Sequence, residues 1–263
     1  MARACVFVDG ENFRYTLAHL FPENLYPGSR ERYLPDADWH AFFSWITLEC
    51  GAELLRAYWY VTSNLDFRPY KVPHNWNEKE RLFRNCEQFA ERLAATANDV
   101  HRKEVLKSIE ATLTRRRRAI EERWSGQRQM LFSIERCNDR IEVRRSGSIT
   151  FDLFANRFGT EKGVDTQLAT DLIVLADNYE VAIVVSGDAD YLPPITAIKG
   201  RGKLVYSVCF LDSGGDKLPG GARRLEAVVD STYEVPFREA LSRLCIAERA
   251  GTSRTPQRKV NSQ

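Results

Sequence analysis

Two short apolar runs in this chain each stop on acidic residues. Val6-Phe7-Val8 leads into Asp9-Gly10-Glu11-Asn12, and Val181–Val185 leads into Ser186-Gly187-Asp188-Ala189-Asp190. Apolar runs of this length, with no polar alternation, fit strands buried on both faces, as in parallel sheets covered by helices. An Asp at the carboxyl end of such a strand points into the crevice where open α/β sheets bind ligands. Further strand-like runs at Leu54–Thr62 and Leu204–Phe210 alternate with helical stretches. That alternation predicts right-handed βαβ crossovers and a mostly parallel sheet.

The spacing predicts a helix over Phe13–Leu20 with Asn12 as its cap, and a second over Asp38–Cys50 stopped by Gly51. Pro22–Pro35 reads as loop. From Asn77 to about Ile134 there is no proline and no strand pattern. Leu82, Cys86, Phe89 and Leu93 recur at helical spacing, as do Val105, Ile109, Leu113, Ile120 and Trp124. Two or three long helices are expected, broken at Asn98-Asp99 and Ser125-Gly126. They form an insertion at about 77–136 that would dimerise, brace the core or cradle nucleic acid; the sequence does not choose. Ile141–Arg145 reads as a short strand followed by a glycine turn, and Phe151–Lys162 as a loop on the active-site side. Helices are expected over Asp165–Asn178, Tyr191–Ile198, Arg223–Val229 and Phe237–Arg249, with an edge strand at Thr232–Val235. The residues 251–263 read as a disordered basic tail.

With 263 residues and a formal net charge of +2, charge alone does not point to nucleic acid. Its distribution is more telling. Between His101 and Arg145 there are 13 Lys/Arg against 7 Asp/Glu, including Arg115-Arg116-Arg117-Arg118. This is a solvated helix face or a phosphate-tracking surface. The six cysteines are scattered without a Cys-x-x-Cys, and the four histidines form no close pair. That argues against a zinc site and for reduced thiols in the cytoplasm. No apolar run is long enough for a membrane helix, and the first residues have no signal-peptide layout, so no membrane partner is expected. Neither G-x-G-x-x-G nor G-x-x-x-x-G-K-[ST] occurs, which disfavours a dinucleotide or P-loop site. A haloacid-dehalogenase-type phosphatase needs Asp-x-Asp, and Glu11 stands at the second position here.

A third acidic run, Lys162-Gly163-Val164-Asp165, opens a strongly helical stretch. If the strands are neighbours, carboxylates from distant parts of the chain converge. They repel one another unless a cation occupies the cluster, and hard cations such as magnesium prefer oxygen ligands. Taken singly, Asp9-Gly10 is a turn and Asp188 and Asp190 are helix caps. The three runs together, in this order, favour a site. Trp39, Trp45 and Trp59 read as core.

Together, VDGEN, KGVDTQLATDL and VVSGDADYLPPITAIKGRGKLV resemble the NYN domain, a branch of the PIN-like nuclease superfamily that includes the LabA-like proteins. The resemblance covers about Ala4–Asn64 and Phe151–Val235, and leaves out about Pro69–Ile149. It implies an α/β fold, a PIN-like three-layer sandwich with a central, mostly parallel sheet, here carrying the long helical insertion, as a single domain over residues 1–250. It implies a metal-dependent ribonuclease using Mg2+ or Mn2+, with in-line hydrolysis leaving a 5′-phosphate and a 3′-hydroxyl. By motif position, Asp9, Asp165 and Asp188 match catalytic metal-binding acids and Asp190 lines the same cleft as a further ligand. Asn12, Lys162 and Ser186 match polar positions for the substrate. Asp171 matches a recurrent acid, but six helical residues from Asp165 it does not share that residue's face. It is expected to support the site from behind or to be structural. The expected partner is RNA, including single-stranded RNA, with self-association through the helical insertion as an option. The alternative is a catalytically silent PIN-like RNA-binding or scaffold module.

Overall fold

The computed structural model describes residues 1–22, 37–218 and 222–244. In chain order the elements are β1 (Ala2–Asp9), α1 (Gly10–Leu20), α2 (Trp39–Glu49), β2 (Ala52–Arg68), α3 (Trp76–Phe83), α4 (Glu87–Ala94) and α5 (Asp99–Cys137). There follow β3 (Ile141–Asp152), β4 (Arg157–Phe158), α6 (Val164–Val174), β5 (Val181–Val185), α7 (Leu192–Gly200) and β6 (Leu204–Leu211). The last are β7 (Lys217–Leu218), α8 (Ala222–Leu225), β8 (Ser231–Val235) and α9 (Phe237–Arg243). The described residues divide into two units: those within 1–61, 129–145 and 165–244 form the first, and 62–128 with 146–164 the second.

The first unit is built on a mixed, mostly parallel sheet ordered β3-β2-β1-β5-β6-β7, with β8 also on β6. Strand β1 runs parallel to β2 and β5, β5 to β6, and β6 to β8; β7 is antiparallel. Strand β1 explains the apolar run. Ala4, Val6 and Val8 join a core with Phe13 and Leu17 of α1 and Trp39, Phe42 and Phe43 of α2. On its other face Phe7 meets Tyr58 and Tyr179, with ring centroids 5.6 and 5.5 Å away. From Ala4 to Val8 both faces are dry, so no polar residue interrupts that run before Asp9.

The expected core tryptophans Trp39, Trp45 and Trp59 are buried. Trp59 packs edge-on against Trp39 at 5.1 Å and, tilted, against Phe13 at 5.5 Å. Such pairs contribute roughly 0.5–1.5 kcal/mol each beyond the area they bury, and here they clamp α1 and α2 to β2. Gly10, the first residue of α1, lies against that strand. A Cβ there would stand 2.3 Å from the Tyr60 carbonyl oxygen and 2.9 Å from Val61. The glycine after the strand-ending Asp is therefore a packing requirement. We expect Gly10→Ala to lower stability by about 1–3 kcal/mol, read as a reduced urea midpoint at unchanged m-value.

The second unit holds α3, α4, most of α5, β4 and the far ends of β2 and β3. Its own core comprises Phe83, Phe89, Leu93, Leu106, Ile109, Leu113, Phe151 and Leu153, which accounts for the helical spacing of the apolar residues. Two expectations change here. Ser125-Gly126 does not break the chain, and α5 runs through it for 39 residues. Gly126 has nothing near its Cβ position, so it costs propensity only. The strand at Ile141 does not stop at Arg145: β3 continues to Asp152 and pairs with β4, so much of the expected loop is a hairpin. Gly147 sits within β3 at φ 68°, where a Cβ would lie 2.2 Å from the Lys162 carbonyl oxygen. It marks a close backbone approach rather than a turn.

The four consecutive arginines split by role. Arg116 donates to the carbonyls of Leu153 and Phe154 at 2.7 and 3.1 Å, and Arg117 to that of Tyr70 at 2.6 Å while covering the Phe67 ring. Arg115 and Arg118 are exposed, the latter pairing with Glu122 one turn on. We expect Arg116→Gln with Arg117→Gln to cost about 1–3 kcal/mol. The same change at Arg115 and Arg118 should stay within about 0.5 kcal/mol, as measured by urea unfolding of both double variants.

The expected loop at Pro22–Pro35 falls almost wholly outside the described residues, as do the end of the expected last helix and the basic tail over 251–263. Among the described residues no helix is long and apolar enough to cross a membrane.

Candidate metal centre

Parallel pairing brings the first and second acidic runs together. Val8 lies opposite Val185, so β1 and β5 end side by side, and Asp9 and Ser186 emerge at the same edge. Asp9 is the last residue of β1 and also the cap of α1. Its Oδ1 accepts from the Asn12 backbone N–H at 3.1 Å. The sequence expectation had Asn12 in that role; the helix instead begins three residues earlier, and Asn12 stands in its first turn. The half-buried Asn12 side chain accepts from the Gly187 backbone N–H at 3.2 Å, which ties α1 to the loop after β5.

That loop folds on its own side chains. Ser186 is buried, donates from Oγ to Asp9 Oδ2 at 2.9 Å and accepts from the Asp188 backbone N–H at 3.1 Å. Asp188 caps a single 3-10 turn over Ala189–Tyr191, accepting from the Asp190 backbone N–H at 3.0 Å. Pro193 follows in the first turn of α7, where a missing N–H costs nothing. Asp165 arrives from elsewhere, in the first turn of α6. The Tyr191 hydroxyl reaches it at 2.8 Å, and stands 3.3 Å from Asp9 Oδ2.

Asp165, Asp188 and Asp190 each offer one carboxylate oxygen, all within 4.8 Å of one another. At that separation and an effective dielectric of about 20, two carboxylates repel by roughly 3 kcal/mol, and by less where water screens them. Among the described residues no Lys or Arg forms an ion pair with any of the three. The donor set is oxygen only, without thiol or imidazole, which suits a hard divalent cation.

Asp9 is not one of these three. It is 5% exposed and joined to them through Tyr191 and Ser186. Burial pushes its carboxyl up to about 6, against the Asn12 N–H and the Ser186 hydroxyl, which favour the charged form; the nearby Asp165 adds to the rise.

Of the remaining expected site residues, Ser186 and Asp171 have their polar atoms engaged. Ser186, expected to touch a phosphate, has its hydroxyl committed to Asp9 and Asp188. Lys162 belongs to the second unit, where its backbone pairs with Ser148 and its side chain is exposed. Asp171 is buried and accepts from Tyr60 Oη at 3.0 Å, from Gln167 at 2.9 Å and from the Arg144 guanidinium. It sits in a buried ion pair with Arg144. Tyr191 was missed in the sequence, where it reads as the first residue of a helix. A tyrosine directly after Ser-Gly-Asp-Ala-Asp was the available signal, since a buried phenol needs a polar partner.

The chain matches the family model for the NYN domain over residues 81–233, more than half of its length. It belongs to the NYN domain family. That family lies within the PIN-like nuclease superfamily. The match includes Asp165, Asp188 and Asp190 and runs through helices that the motif resemblance had left out, whereas the VDGEN run lies before it. No curated protein matches the chain. Among solved structures, a Vibrio parahaemolyticus protein of unknown function is similar at 17% identity and a TM-score of 0.42, with 89% of this chain and 93% of that one covered. The likeness is too loose to inform fold or function.

Proposed function

We propose that this NYN protein is a metal-dependent ribonuclease, hydrolysing RNA phosphodiester bonds at a site built on Asp165, Asp188 and Asp190. The observation that carries the reading is the convergence of these three carboxylates, from two separate segments, without a cationic side chain to offset them. Mg2+ or Mn2+ is the cation that their oxygens would hold. Such a cation, when bound, lowers the pKa of a water and offsets negative charge on a phosphodiester. The chain's part is to hold those oxygens in place. Asp188 is fixed by its cap on the 3-10 turn, Asp190 by the same turn, and Asp9 supports them from below through Ser186 and Tyr191. The half-buried Asn12 amide is the candidate for a substrate contact. We read the fold as PIN-like and three-layered, supported by α1 and α2 packing on the face of β1 opposite Phe7.

The test is purified protein against end-labelled single-stranded RNA, double-stranded RNA and DNA, with Mg2+, Mn2+ or EDTA. RNA is expected to be cut with either metal and left whole in EDTA, with 5′-phosphate ends. RNA bound but uncut at every metal concentration would instead mark a binding module.

A further inference from the structure

The Tyr191 ring is fully buried, and a phenylalanine would fill almost the same space. Its hydroxyl is spent on carboxylates: Asp165 Oδ1 at 2.8 Å and Asp9 Oδ2 at 3.3 Å. A phenol has one proton to donate. The shorter distance assigns it to Asp165, since Asp9 Oδ2 already receives the Ser186 hydroxyl at 2.9 Å. Among the described residues, Asp165 has no other side-chain hydrogen bond or ion pair. Asp188 and Asp190 share the turn that ends at Tyr191, whereas Asp165 belongs to α6. The hydroxyl is thus the link that ties the third carboxylate to the other two. It also occupies Oδ1, which leaves Oδ2 as the oxygen without a hydrogen bond.

We propose that Tyr191 is a positioning residue for the cation: its O–H fixes the Asp165 carboxylate, so that one short turn, residues 188–191, sets all three ligands. This rests on the cation site proposed above. Hydrogen bonds to metal-binding side chains orient them, and losing one weakens metal affinity by about 10- to 100-fold. Ordering Asp165 beforehand removes the cost of ordering it on binding.

The experiment is Mn2+ titration of the full chain, with free Mn2+ followed by electron paramagnetic resonance, for the wild type, Tyr191→Phe, Asp165→Asn, the double variant and Asp188→Asn. Tyr191→Phe is expected to raise the Mn2+ dissociation constant about tenfold while keeping the near-UV circular dichroism of the wild type. On RNA, excess Mn2+ should restore its kcat at unchanged KM. The double variant should bind no more weakly than Asp165→Asn alone, because Tyr191 acts through Asp165. Replacing Tyr191 by 4-aminophenylalanine, which keeps a donor at the ring's end, should return affinity to near the wild-type value. Unchanged affinity in Tyr191→Phe, or losses that add in the double variant, would reduce Tyr191 to a core residue. If Tyr191→Phe loses the fold, the 4-aminophenylalanine variant decides, and a tenfold deficit there overturns the proposal. Wild type and Asp188→Asn that take up Mn2+ equally, or not at all, would remove the cation site itself and this role with it.

Discussion

Replacing Asp188 with Asn is expected to leave the fold intact and to reduce metal-dependent RNA cleavage by more than about 100-fold. The Asp188 side chain has two duties. One oxygen caps the 3-10 turn by accepting from the Asp190 N–H, and an asparagine carbonyl does this equally well. The other duty needs charge, because an amide oxygen replaces a carboxylate in a set of three that must hold a dication. Loss of kcat/KM on labelled RNA, with a melting temperature in EDTA at or above the wild-type value because one of the mutually repelling charges is gone, is the expected result. Wild-type cleavage by the variant would remove Asp188 from the site.

Asp9→Asn should act in the opposite direction, on stability. Burial raises the Asp9 carboxyl from an ordinary value of 3.8 to about 6. Between those values the native protein keeps a proton that the unfolded chain has released. Stability therefore falls as pH rises through the window from about 4 to about 6, and stays low above it. At roughly 1.4 kcal/mol per pH unit, the ionised carboxylate costs the metal-free protein on the order of 2–3 kcal/mol at pH 7. The amide introduced by Asp9→Asn can still cap α1 and has no proton to lose. The variant is expected to match the wild type near pH 4 and to exceed it by about 2 kcal/mol at pH 7, as read by urea unfolding in EDTA across that range. A stability difference that does not change with pH would show that burial puts no strain on Asp9.

Much of this was legible in the chain because both buried strands speak in one way. Val6-Phe7-Val8 and Val181–Val185 are apolar on both faces, so their ends, and the acids placed there, could be read directly. The core tryptophans and the break at Asn98-Asp99 followed from spacing and from capping, since Asn98 does accept from the His101 N–H. What was hidden depends on partners distant in sequence. Gly147 looks like a turn, and only the approach of Lys162 shows why a glycine stands inside a strand. Gly126 looks like a break, yet α5 runs through it. Arg116 and Arg117 look like half of a basic patch, but they brace carbonyls some 37 to 48 positions away. Asp9 and Asp188 look equivalent as acids after strands. Their difference, one buried and capped beneath the site and the other open to it, comes from Ser186, Tyr191 and the turn between them.

The most direct test of the cation site is a crystal of the full chain soaked in Mn2+ and measured at a wavelength where manganese scatters anomalously. A peak about 2.0–2.3 Å from oxygens of Asp165, Asp188 and Asp190, absent from Asp188→Asn crystals treated in the same way, is the predicted result. No peak there at saturating Mn2+, or a peak held by other residues alone, would contradict it.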